Sequence, residues 1–412
     1  MSLGSLSIDR QRLLRRLDDL AQIGAIAGGG VCRLAFSDED KAGRDQVVRW
    51  MKELKLDVQI DAIGNVIGLR QGKITSPPVM TGSHIDTVRI GGCYDGNYGV
   101  LAGLEVIETL NDANLVTQRP LAVAFFSNEE GARFAPDMMG SLVFQGDLSV
   151  ADALGTVGID GTSVRDNIER IGYQGSLVTS GKYPVHAFVE LHIEQGPILD
   201  AEQVSLGAVQ SVQGISWTEY CFHGVSNHAG TTPMSMRHDA GYAASALGQF
   251  VRELALQMGG DQVATVGSIE LRPNLCNVVA NYARVTVDLR NTDDALLEQA
   301  EARVAGFVEE VCHQEGLRIE RRQLARFAPV IFDPHITTLI EATAQQQGVK
   351  ARPIVSGAGH DAQILARMCP AGMIFVPSKA GISHNVKEFT EPDDLEVGAN
   401  MLLHVLLQLT ES

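Results

Sequence analysis

The chain has 412 residues, enough for two domains of ordinary size, and is 45% hydrophobic with no apolar run long enough to span a bilayer. A formal charge of −17 at pH 7 argues against nucleic acid as a partner, because that binding rests on Lys and Arg neutralising phosphates. Six cysteines, at 32, 93, 221, 276, 312 and 369, form no C-x-x-C pair. That suits reduced thiols in a cytoplasm, and no basic stretch followed by an apolar one marks a secretory signal.

Ser7 to about Leu20 mixes apolar and charged residues at helical spacing and predicts a helix. Ser37-Asp-Glu-Asp40 carries an acid three residues after a serine, the pattern of a capping box, and predicts a helix to about Leu54. Val58-Gln-Ile60 and Asn65-Val-Ile-Gly-Leu69 read as a hairpin around Gly64-Asn65. Val79 and Met80 read as the end of a buried strand, and Tyr98 to Leu110 as a helix. Pro120 to Phe126 is a continuous apolar run and hence a buried strand. Ser149 to Gly181 reads as short helices and loops; His186 to Leu191 and Gly372 to Val376 read as further strands. Strands alternating with helices predict an α/β fold, a mostly parallel sheet flanked by helices.

The middle of the chain follows another rhythm. Trp217 to His223 is a strand and Asp239 to Met258 a helix. Gln262 to Leu271 and Asn277 to Leu289 are strands joined by a Pro-Asn turn, Asp293 to Glu315 is a helix and Leu317 to Leu324 a last strand. The order βαββαβ is that of a two-layer sandwich with helices on one face. The expected organisation is therefore a first domain in two segments, 1–212 and 327–412, with 213–326 inserted.

Between Met80 and Tyr98 lie Thr81-Gly-Ser-His-Ile-Asp-Thr87 and Gly91-Gly-Cys-Tyr-Asp-Gly96. Open α/β sheets place their sites on loops leaving the strands. His84 can offer a ring nitrogen to a metal, with Asp86 holding the other nitrogen as a supporting partner. Asp95 has two oxygens and can bridge two metals; a polar loop without metal is the alternative. Ser127-Asn-Glu-Glu-Gly131 places two adjacent carboxylates at a strand exit, where one can bind metal and the other act as a base. His192, Glu194 and Gln195 follow the next strand, Ser356-Gly-Ala-Gly-His-Asp361 is a glycine-rich turn entering a helix, and Gly381-Ile-Ser-His-Asn385 follows the last. A donor set of histidines and carboxylates, without a cysteine pair, suits zinc, manganese, cobalt or nickel.

These motifs, with Glu190-Leu-His-Ile-Glu-Gln-Gly-Pro197 and Ser226-Asn-His-Ala-Gly-Thr-Thr-Pro-Met234, resemble the co-catalytic metallo-amidohydrolases related to aminoacylases and aminopeptidases. Within them the chain is most similar to the N-carbamoyl-L-amino-acid hydrolases, β-ureidopropionases and allantoate amidohydrolases, from about residue 20 to the end. The resemblance implies a zinc-peptidase-like catalytic domain with an inserted dimerisation and lid domain, in a homodimer. It implies two divalent metal ions per subunit: one on His84 and His192, one on Glu130 and His384, with Asp95 bridging. Glu129 would be the general base and His228, from the partner subunit, the oxyanion donor. Gln195 would bind the ureido group, Arg290 and Asn277 the substrate carboxylate, with the contributing subunit left open, and His360 would contact substrate or support a ligand.

The expected activity is cleavage of the carbamoyl C–N bond of an N-carbamoyl-L-amino acid to amino acid, ammonia and carbon dioxide. Allantoate hydrolysis and β-ureidopropionase activity share the same site and stay open. A peptidase fits less well, because the Glu-Gln-Gly-Pro and Asn-His-Ala-Gly-Thr-Thr motifs belong to the ureido group. The rival of another class is a non-catalytic metal-binding protein on this fold.

Overall fold

The structure, a computed structural model, describes residues 6–411. The chain divides into two compact units, residues 1–210 with 332–412, and Ser211–Ile331.

The first unit opens with helix α1 (Arg10–Ala21), capped by the Asp9 side chain, and α2 (Asp38–Glu53), capped by Ser37. The capping box at Ser37 is half made: the serine accepts the Asp40 N–H, but the Asp40 carboxylate accepts from Phe36 N at 2.6 Å and from Arg44 Nε at 2.8 Å. The hairpin is β1 (Asp57–Ile60) with β2 (Val66–Arg70). Then come β3 (Val79–His84), α3 (Asn97–Asp112) and β4 (Leu121–Phe126). Short helices α4 (Met139–Gln145), α5 (Val150–Gly155) and α6 (Val164–Ile171) precede β5 (Ala187–Ile193), α7 (Ile198–Glu202) and β6 (Leu206–Val212).

The second unit is β7 (Gly214–His223), α8 (Ala240–Met258), β8 (Val263–Arg272), β9 (Tyr282–Asn291), α9 (Asp294–Glu315) and β10 (Arg318–Phe327), in the expected βαββαβ order. Its strands form an antiparallel sheet in the order β10-β7-β9-β8. Alternation along β9 buries Ala283, Val285, Val287 and Leu289 with Leu247 and Val251 of α8 and Val304 and Val308 of α9. Tyr282, Arg284, Thr286, Asp288 and Arg290 therefore point to the other face, the period of two that a half-buried strand requires.

A two-residue strand β11 (Val330–Ile331) pairs with Val212 and Ser211, so the incoming and outgoing segments lie side by side. The first unit then closes with α10 (Pro334–Gln347), β12 (Ala351–Ser356), α11 (Asp361–Leu365), β13 (Ala371–Val376) and α12 (Pro392–Glu411).

In the sheet of the first unit the order is β1-β2-β4-β3-β5-β13-β6, with β12 also on β6. The four central strands β4, β3, β5 and β13 run parallel, and antiparallel strands flank them. Their carboxyl ends share one edge, and every candidate ligand of this unit lies at or beyond that edge. The strand at Val79 corrects the expectation: it begins at Val79 and runs on through His84. Thr81 and Ser83 look like loop residues, but both are buried, with Thr81 Oγ1 donating to Val189 O at 2.7 Å and Ser83 Oγ to Glu190 Oε1 at 2.6 Å. Buried hydroxyls with partners are tolerated in a strand. Among the described residues, no helix is long and apolar enough to cross a membrane.

Candidate metal centre

Asp95 is buried in the loop after β3 and shares its two oxygens between two groups of side chains. Oδ1 lies 3.1 Å from His192 Nε2 and 3.6 Å from His84 Nε2. Oδ2 lies 3.1 Å from His384 Nε2, which is itself 3.3 Å from Glu130 Oε2. The donor atoms of His84, Asp95 and His192 all lie within 4.8 Å of one another, and so do those of Asp95, Glu130 and His384. Ligand positions carried on β3, β5 and the loops after β3, β4 and β13 thus meet at one place, and the donor set of two such groups around one carboxylate fits a pair of divalent cations.

The ring nitrogens are sorted by the backbone. His84 Nδ1 faces Asp86 O at 2.9 Å, and His192 Nδ1 faces Ile193 O at 2.8 Å. Each carbonyl can only accept, so Nδ1 carries the proton and Nε2 is left with its lone pair toward the cluster. This corrects the expected role of Asp86. Its backbone, not its carboxylate, orients His84, while the carboxylate accepts the N–H groups of Glu129 at 3.2 Å and Glu130 at 3.3 Å. Asp86 thereby ties the β3 loop to the two adjacent glutamates.

Those glutamates point to different partners. Glu129 Oε2 is 3.4 Å from His84 Nε2, whereas Glu130 Oε2 is beside His384 and Oε1 accepts from Val88 N at 3.3 Å. Burial, opposed by His84, pushes the Glu129 carboxyl well above the usual carboxylate range. Burial would also raise Asp95, but the imidazoles of His192, His384 and His84 around its two oxygens hold it well below that range. Hydrogen bonds donated to Asp95 and Glu130 lift His384 to about 10.

Backbone conformation aims these side chains. Asn128, Gln195 and His384 have φ of 55°, 57° and 52°. These are left-handed conformations that ordinary residues seldom adopt and that gather at functional sites. Gly96 has φ 64°, and a Cβ there would fall 2.4 Å from the His84 ring, so the glycine admits the imidazole.

Gln195 Nε2 lies 2.9 Å from Asp95 Oδ2 and 3.3 Å from Ser383 Oγ, within the cluster. Its neighbour Glu194 turns away and caps α7 through the N–H groups of Ile198 and Leu199, both at 2.8 Å. His360 is buried beside His192, ring centroids 4.6 Å apart, with Nε2 2.9 Å from Ser356 Oγ. Burial and the charge of His192 push its imidazole well below the usual value.

The remaining candidates belong to the second unit. His228 is exposed, with Nδ1 accepting from Gly230 N at 3.0 Å. Its loop pairs with that of Asn277, since Ala229 N donates to Asn277 O at 2.9 Å. Arg290 projects from the helix-free face of its sheet, with Nη2 2.9 Å from Asp288 Oδ2.

Two residues without a motif support the cluster. Arg33 is fully buried, and burial pushes it down to about 10. Its guanidinium donates to the carbonyls of Leu20, Ile23 and Ile85 and to Asn97 Oδ1, and Asn97 in turn donates to Asp95 O. The other is Glu388, buried behind Asp95. A lone arginine in Val31-Cys-Arg33 gives no sequence signal. Glu388 gives a faint one, an acid four residues beyond a candidate histidine.

The profile of peptidase family M20/M25/M40 matches residues 80–408. The chain is 37% identical over 407 residues to an N-carbamoyl-L-amino-acid amidohydrolase of Rhizobium meliloti, covering 98% of this chain and 97% of that protein. It is 36% identical to an allantoate amidohydrolase of Bacillus subtilis (strain 168), covering 95% of each. Among solved structures, an amidase of the hydantoinase/carbamoylase family from Burkholderia multivorans superposes with a TM-score of 0.94 at 44% identity, over 99% of each chain.

Proposed function

The chain belongs to peptidase family M20/M25/M40 and is a hydrolase of C–N bonds in non-peptide amides, and from that premise we propose that it cleaves the carbamoyl C–N bond of an N-carbamoyl-L-amino acid. The observation that carries the reading is the division of Asp95 between two ligand groups, with Glu129 beside them. The substrate class rests on the relatives, full-length matches that bear this activity in their names.

In this reading His84 and His192 would hold one divalent cation and Glu130 and His384 a second, with Asp95 shared between them; zinc, manganese, cobalt and nickel all suit the donors. The chemistry such cations supply is polarisation of the attacked carbonyl and a lowered pKa for water. Glu129 takes the proton of the attacking water and returns it to the leaving nitrogen. Gln195 hydrogen-bonds the ureido group through its carboxamide. Arg290 and Asn277 hold the substrate carboxylate, for which a guanidinium fork is matched, and His360 borders the substrate. His228 donates to the developing oxyanion, from the partner subunit of a homodimer.

A second reading, allantoate hydrolysis, is favoured by the Bacillus subtilis relative. The test is ammonia release, with manganese added, from a panel of N-carbamoyl-L-amino acids, allantoate and 3-ureidopropionate. The highest kcat/KM is expected with an N-carbamoyl-L-amino acid. Preference for allantoate would install the second reading, and no release from any of them would overturn both.

A further inference from the structure

Glu388 occupies a position that the reaction as described does not use. It is buried, and one carboxylate oxygen, Oε1, accepts the backbone N–H of Tyr94 at 3.0 Å and of Asp95 at 3.2 Å. The other, Oε2, accepts from Ser383 Oγ at 3.0 Å. One carboxylate therefore joins the loop that carries Asp95 to the loop that carries His384, which come from opposite ends of the sequence. Its own backbone N–H donates to Asn385 O at 3.0 Å, closing the turn that directly follows His384.

The surroundings are shaped to admit this side chain. A Cβ on Gly92 would stand 2.1 Å from Glu388 Oε1 and 2.4 Å from its Cβ, so no residue but glycine fits there. The same turn is seated by Val386, whose Cγ1 would lie 2.5 Å from a Cβ on Gly30. Ser383, besides donating to Glu388, lies 3.5 Å from Asp95 Oδ2. Carboxylates and hydroxyls that hold ligand-bearing segments in place usually matter to metal affinity by about 10–100-fold, because the ligands must otherwise be ordered when the ion arrives.

We propose that Glu388 is a positioning residue that locks the Asp95 loop to the His384 loop and so sets the geometry of the Asp95–Glu130–His384 cluster. The proposal rests on the reading of the centre as a two-cation site. Ser383 is the partner of that lock on the His384 loop, and its hydroxyl also lies 3.5 Å from Asp95 Oδ2.

The test is titration of cobalt(II) into metal-free protein, followed by calorimetry and by the visible absorption of the bound ion. Wild type is expected to show two binding steps. Glu388→Ala should weaken one step by about 10–100-fold and move the other less. Glu388→Gln, whose amide oxygen still accepts the Tyr94 and Asp95 N–H groups, should recover most of that loss, whereas Glu388→Met, which fills the space but accepts neither, should stay near the alanine; recovery in the methionine variant would show that the side chain only fills space and would overturn the proposal. Ser383→Ala should weaken the same step as Glu388→Ala, and it carries the test alone if the alanine at 388 does not fold. Two wild-type steps in Glu388→Ala, or in Ser383→Ala when that is the variant read, overturn the proposal. A single step in the wild-type protein instead removes the two-cation reading, and the proposal with it.

Discussion

Oδ2 of Asp95 lies 3.1 Å from Nε2 of His384, while the other oxygen of the same carboxylate faces His192 at the same distance. A carboxylate so divided belongs to both ligand groups, whereas Glu130 belongs to one. Asp95→Ala should therefore lower the metal-to-protein ratio more than Glu130→Ala does. Metal analysis of both variants after identical loading and desalting checks this; equal ratios would show that the two carboxylates are equivalent.

Gly96 is a second point of control. Alanine there meets a left-handed backbone and would put its Cβ 2.4 Å from the His84 ring. Strain and overpacking of this kind cost about 1–3 kcal/mol. Gly96→Ala should lose stability of that order in chemical denaturation and weaken metal binding through a displaced His84. A variant with wild-type stability and wild-type affinity would mean that the loop relaxes freely.

Asp361 predicts a pH dependence. Burial, then the charge of Glu190, push its carboxyl up from 3.8 to about 8. Between those values the folded state keeps a proton that the unfolded state has released, so this group makes stability fall as pH rises through the window. In metal-free protein, Asp361→Asn should lose less stability than wild type between about pH 5 and about pH 8. Parallel losses in the two proteins would contradict the assignment.

The role of His228 in trans has a test by complementation. An inactive Glu129→Gln protein is mixed with an inactive His228→Ala protein under conditions that exchange subunits. If His228 serves the neighbour, a mixed dimer has one site with both defects and one with neither. Random pairing makes about half the dimers mixed, so activity should return to roughly a quarter of wild type. No recovery, with exchange confirmed independently, would place His228 in its own subunit's site.

How much of this was legible in the sequence differs by level. Continuous apolar runs such as Leu121–Phe126 and alternation such as that of β9 declare strands directly, because burial on two faces or one leaves a plain pattern. The six residues that crowd the centre stood out as histidines and carboxylates near strand exits. What the sequence concealed was tertiary in origin. Thr81 and Ser83 read as loop because their partners, Val189 O and Glu190, come from another strand. Asp86 lies two residues from His84, which suggests a side-chain bond in an extended segment, but the chain leaves the strand at His84 and turns the carbonyl inward. Arg33 and Glu388 act largely through backbone groups far away in the sequence, contacts of which Arg33 leaves no local pattern and Glu388 only its spacing from His384.

The most direct test of the account is the Glu129→Gln variant, which keeps the size of the side chain and removes the proton acceptor. General-base assistance contributes about 10²–10⁴-fold, so kcat on the preferred substrate should fall by that order while metal content stays at the wild-type level. Near-wild-type turnover with full metal content would contradict the assignment of the base, and with it the division of labour between Glu129 and Glu130 on which the mechanism rests.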